Sequence, residues 1–264
     1  MISERASQQA FVGASALLFA GSAALTVAWC ESMSAMGAMS MPGGWRMSMA
    51  WMPMPGQTWL GTAASFLGMW VVMMVAMMLP SLAPALWRYR QAIGGRGELC
   101  LSWLTALVAM GYFFVWTVVG LVVFPAGATL AGIEMQRPML ARVVPITVGA
   151  VVVIAGAFQF TPWKARHLAC CRGARWHRRR LPADRSASWR YGLHLGWHCI
   201  YGCAGFTVIL LAIGVMDARV MALVATAITA ERLAPNGERV ARVIGMVVVG
   251  VGLLLSARAA VGLV

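Results

Sequence analysis

Apolar positions in this chain fall into long unbroken runs, separated by stretches where Arg, Gly, Pro and Ser collect. A helix rising about 1.5 Å per residue needs roughly 20 residues to cross the hydrocarbon of a bilayer, and several runs approach or exceed that length. They predict spans at Phe11 to Cys30, Trp59 to Leu82, Leu101 to Phe124, Val143 to Phe160, Tyr191 to Val215, Asp217 to Leu233 and Val240 to Leu255. The sixth has the shortest apolar part and reaches the lower limit of about 17 residues only if all of it is helical. The pattern therefore predicts an all-α fold, a polytopic transmembrane helix bundle of seven spans, or of six if that segment fails to cross. No small-x-small cleavage site follows the first run, so it reads as a membrane helix and not as a signal peptide.

Composition agrees: 61% of the 264 residues are hydrophobic and 11% are charged, where a soluble domain devotes about a quarter to charge. The whole chain, 1–264, reads as one membrane domain whose first partner is the lipid bilayer. Charge orients it. With the N-terminus cytoplasmic, the inside loops hold Arg5, then Arg88, Arg90 and Arg96, then Lys164 to Arg190, then Arg232, Arg239 and Arg242. The outside keeps Arg46, Arg137, Arg142, Arg219 and Arg258. This is the positive-inside pattern, and it favours seven crossings. A net charge of +13 would raise nucleic acid as a partner in a soluble protein. Here the basic residues sit between apolar spans without a recognition helix, which points to anionic headgroups instead.

Two loops stand apart. The outside loop, 31–58, is Met-rich, and its Gly, Pro and Ser content predicts a mobile segment without regular helix. The cytoplasmic loop, 164–190, is strongly basic, and topological anchoring accounts for its charge. Six cysteines show no repeating spacing and read as thiols, not as a disulfide framework.

The outside loop places Met33, Met36, Met39, Met41, Met47, Met49, Met52 and Met54 within 22 residues. Thioethers are soft ligands that suit Cu(I) and bind without losing a proton. Flexible apolar filler at the membrane surface is the competing explanation. In the second span, WVVMMVAMMLPS, the helical turn aligns Met69, Met73 and Met77 in one stripe and Met74 and Met78 in its neighbour. These could line a path inwards, although ordinary packing explains them equally well.

Further on, QFTPWKARHLACCR sets His167 and Cys171 four residues apart, with Cys170 as the adjacent alternative. Imidazole with thiolate suits Cu(I) or Zn(II). The fifth span opens YGLHLGWHCIYGC, with His194 and His198 four apart and Cys199 and Cys203 four apart. At about 100° per residue the two pairs point roughly 140° apart, which argues against one mononuclear site using all four. An ionisable group inside a membrane is costly and marks His198 as a functional candidate. Glu231 is a further candidate ligand, with an ion pair to Arg232, Arg239 or Lys164 the stronger expectation. Nucleophile elbows, Walker loops, dinucleotide glycine motifs and HExxH are all absent, so no catalytic residue is assigned.

The stretches WVVMMVAMMLPS, QFTPWKARHLACCR and GLHLGWHCIYGC through GVMD to Glu231 resemble the bacterial predicted metal-binding integral membrane proteins, domain of unknown function 2182. The resemblance runs from the second helix onward. It implies a bacterial inner-membrane location, metal binding without an established reaction, and a small soluble metal-handling partner. In that family's pattern a Cys pair spaced by three falls on His167 and Cys171, so the first ligand differs in type here. The cysteines near Gly202 are also displaced. Three functions follow as expectations: a Cu(I)-handling protein for uptake, delivery or storage; a copper-dependent, oxygenase-like membrane oxidoreductase; or an assembly factor without metal.

Overall fold

A backbone in hydrocarbon has no water to bond and must satisfy its own N–H and C=O groups, so each apolar run becomes a helix. The computed structural model describes residues 2–35, 39–41, 45–48, 51–53, 56–94, 97–171 and 184–261. Their elements are α1 (Ile2–Ala35), β1 (Met39–Ser40), β2 (Arg46–Met47), α2 (Trp59–Ala92), α3 (Glu98–Gln136), α4 (Pro138–Phe158), α5 (Pro162–Cys171), α6 (Arg185–Ile213), α7 (Ala218–Leu233) and α8 (Gly237–Ala260). Every predicted span coincides with a helix, and most helices continue beyond the apolar part. α2, for example, runs through Pro80 and Pro84 to Ala92.

Among the described residues six helices, α1, α2, α3, α4, α6 and α8, are long and apolar enough to cross a membrane. This is the smaller of the two expected counts. The doubtful segment, α7, has 16 residues, which at 1.5 Å each rise about 24 Å. It nevertheless carries the chain from one end of the bundle to the other. Met216, just before it, lines a cavity with Met33 and Met52, while Pro235, just after it, lies beside Leu168 and Ala169 of α5. We call these the Met-loop end and the α5 end.

Leu17, Leu121, Ile154 and Leu254 are exposed on the outer faces, as lipid contact requires. Between helices, small residues permit close approach, which is how membrane helices pack when hydrophobic exclusion of water is absent. A Cβ on Gly192 of α6 would lie 2.2 Å from the Val108 carbonyl oxygen of α3, and one on Gly252 of α8 would lie 2.7 Å from the Val153 nitrogen of α4. The α3–α6 contact matters most here, because α6 carries both the histidines and the cysteine pair. α6 ends at Gly214, whose φ of 149° is one that side chains rarely adopt.

The core holds Trp70, Met73, Met74, Met77, Met78, Tyr112 and Trp116, all buried. The Trp70 indole N–H donates to the Trp116 carbonyl at 2.9 Å, tying α2 to α3. At the Met-loop end, β1 and β2 pair antiparallel, Met39 opposite Met47. The described part of this loop is docked and not free. The Trp45 indole donates to the Ala141 carbonyl at 2.8 Å, Met41 is buried with Ala131 and Ala141, and Trp51 packs on Phe66 with ring centroids 5.1 Å apart. Aromatic rings, which bury large areas, hold the described part of the loop against the helices. Residues 172–183 of the basic loop lie outside the described residues.

Candidate metal centre

Pro162 starts a new helix after the Gln159–Thr161 turn, and that helix, α5, lies outside the six spans. It packs against α6 near its start. His194 and His198, one turn apart on α6, present their rings to it. The ligand atoms of Cys170, His194 and His198 lie within 4.8 Å of one another. His198 Nδ1 is 2.8 Å from His167 Nδ1, and His198 Nε2 is 3.1 Å from His194 Nε2. Three imidazoles and a thiol thus converge. Cys170 closes the buried side and His194 the exposed side.

Aromatic rings wall this cluster. Trp163 lies edge-on to His167 at 4.6 Å and to Tyr201 at 4.9 Å, and Trp197 meets Tyr201 at 5.1 Å. Burial holds the His167 pKa below the usual imidazole range, so its ring is neutral near pH 7 and keeps a lone pair for a metal. A neutral imidazole pair with a thiolate is a borderline-to-soft donor set that fits Cu(I) or Zn(II).

Cys171 does not join that cluster, although its spacing from His167 predicts it. Burial pushes its thiol up to about 12, against the influence of Arg232. Its neighbours belong to a second group, on the opposite face of α6. There Cys199 Sγ lies 3.8 Å from Cys203 Sγ and 4.0 Å from Met78 Sδ. The Arg232 guanidinium donates to Cys199 Sγ at 2.7 Å and to Cys203 Sγ at 3.2 Å, and Tyr112 Oη sits 2.8 Å from Cys199 Sγ. The 140° separation of the two pairs on α6 appears in three dimensions as two separate groups of side chains.

Glu231 is engaged by Lys164, whose Nζ lies 2.9 Å from Oε1 and 2.7 Å from Oε2. Both side chains are buried, and Lys164 also lies over the Phe206 ring at 4.6 Å. The pair ties α5 to α7. Metal ligation by Glu231 has no geometric support, since its oxygens face an ammonium; of its three expected partners, Lys164 is the one that both carboxylate oxygens meet.

Of the methionines, Met73 and Met77 are buried in the core between the two ends, and Met78 reaches Cys199. At the Met-loop end a cavity of about 320 Å³ is lined by Met33, Met52, Met69 and Met216. Met39 is exposed on the hairpin, and Met36 lies outside the described residues. Nearby, the Cys30 thiol donates to Met221 Sδ at 4.0 Å. Sulfur therefore recurs from this cavity through α2 to the cysteine pair.

Residues 67–255, well over half of the chain, match the PpoB2 family, described as a copper chaperone. The chain belongs to that family. No curated protein and no solved structure matches it. That match supports a copper-handling role for this PpoB2 family member. Sequence reasoning left Cys170 as an alternative, because positions three and four residues from His167 flank the same face and spacing cannot choose between them. Arg232 was legible as an inside charge and as a partner for Glu231; its proximity to two cysteines on another helix has no local signature.

Proposed function

We propose that this protein is a multi-pass Cu(I) chaperone of the bacterial inner membrane, with its N-terminus in the cytoplasm. It takes up copper among the thioethers of Met33, Met52, Met69 and Met216 and holds it between α5 and α6 at Cys170, His194 and His198. The observation that carries this reading is the convergence of those three ligand atoms within 4.8 Å. His167, whose Nδ1 lies 2.8 Å from His198 Nδ1, is a fourth donor beside them. The buried Met73 and Met77 connect the ends through side chains that bind copper without a proton change. Thioethers outside and thiolate with imidazole at the α5 end give rising affinity in that direction, which favours uptake or delivery over export. The small soluble partner expected from the resemblance is the natural acceptor there.

The test is metal content of the detergent-purified chain after Cu(I) loading under reducing conditions, beside a His194→Ala/His198→Ala variant. The wild type should retain a copper with mixed nitrogen and sulfur coordination that the variant lacks. Equal retention in both overturns the site, and preferential retention of Zn(II) in a mixed-metal challenge overturns the cargo. A cupric paramagnetic signal that forms in air and turns over with a reductant favours the oxidoreductase reading instead.

A further inference from the structure

The group around Arg232 has no part in the copper site between α5 and α6. A metal–thiolate bond of about 2.3 Å sets sulfur atoms about 3.8 Å apart around a tetrahedral ion and about 4.0 Å apart around a planar trigonal one. Cys199 Sγ stands 3.8 Å from Cys203 Sγ and 4.0 Å from Met78 Sδ. Both distances from Cys199 already match the sulfur spacing of a metal site. Beside them lies a cation: the guanidinium of Arg232, which has donors only and carries its charge at every physiological pH, contacts both thiols.

We propose that Cys199, Cys203 and Met78 form a second Cu(I) site, all-sulfur and enclosed in the bundle, which Arg232 occupies as a substitute cation until copper displaces it. This rests on Cu(I) being the cargo. Ligation by two thiols and one thioether releases the thiol protons to solvent, and no electron is transferred. Ser81 gives the displaced side chain somewhere to stay, since its Oγ already accepts from the other guanidinium nitrogen at 3.1 Å. Adjacent cysteines link the two sites. Cys170 faces the histidines, and the Cys171 thiol feels Arg232 and Cys199. A site whose ion competes with a tethered positive charge binds more weakly than its ligands alone would, which suits passage over storage.

The experiment is a Cu(I) titration of the full chain against a chromogenic chelator, with X-ray absorption at the copper edge. The wild type should bind two ions, one in a nitrogen–sulfur and one in an all-sulfur environment. Cys199→Ser/Cys203→Ser should lose the all-sulfur ion alone, and His194→Ala/His198→Ala the mixed one alone. Arg232→Gln should tighten the all-sulfur ion by roughly tenfold or more, about 1.4 kcal/mol, while Arg232→Lys, which keeps the charge, should not. Unchanged or weaker affinity in Arg232→Gln overturns the competition, and a single mixed-ligand ion at saturation of the wild type overturns the second site even where the serine variant does not fold. A wild type that binds no copper overturns the chaperone reading itself, so the two failures are distinct.

Discussion

The buried ion pair between Lys164 and Glu231 is the most demanding electrostatic feature of the fold, and Glu231→Gln tests it. The substitution keeps shape and removes the charge that faces Lys164 Nζ at 2.7 and 2.9 Å. Breaking a buried pair from one side costs about 3–5 kcal/mol, because the other charge remains uncompensated. At about 2–4 °C per kcal/mol for a chain of this size, the melting temperature should fall by roughly 6–20 °C. Tryptophan fluorescence melting in detergent reads this directly, since the chain has 12 tryptophans.

The sign of the pH dependence follows from Lys164. Burial pushes its pKa below the usual lysine range even with Glu231 present, and losing the carboxylate lowers it further. The unfolded chain then binds more protons than the folded one between the folded pKa and the ordinary value of about 10.4, so stability of the variant rises with pH across that window. The deficit against wild type should be smaller at pH 9 than at pH 6.5. Lys164→Met/Glu231→Leu, which replaces both charges with apolar groups of similar size, should recover most of the loss. A single-variant cost below about 1 kcal/mol, or a double variant no better than the single, would refute the account.

Other consequences are checkable in the same preparation. Gly192→Ala places a methyl 2.2 Å from the Val108 carbonyl, a backbone atom that cannot step aside, and should cost about 1–3 kcal/mol while loosening copper at both α6 sites; unchanged melting and affinity would contradict the close α3–α6 packing. Replacing Met33, Met52, Met69 and Met216 together with leucine keeps volume and removes sulfur, so melting should shift by little while copper acquisition from a weak donor slows severalfold. Equal acquisition rates in stopped-flow measurements would remove the outer capture step.

Much of the architecture was legible in the linear pattern. Apolar runs located the helices, although α2 and α3 extend about ten residues beyond them, and the heptapeptide GLHLGWH already set His194 and His198 on one helix face; the close packing at Gly192 and Gly196 emerged only in three dimensions. The spacing of Cys199 and Cys203 against those histidines argued against one mononuclear site using all four, and the structure places the two pairs in separate groups. What spacing left open was which residue of α5 meets the histidines, since Cys170 and Cys171 differ by one position, and where Glu231 finds its counter-charge among three candidates.

The sequence by itself determined the solvent of this protein, its helical class, and the soft character of its donors, because hydropathy, helical periodicity and ligand chemistry are local properties of the residues. Only the tertiary structure decided the company each donor keeps: Cys170 with the histidines, Arg232 between the thiols, Lys164 on Glu231. Those pairings join α5, α6 and α7 across separations of up to 67 residues, and they depend on how small side chains let the helices approach, which no single stretch of the chain encodes.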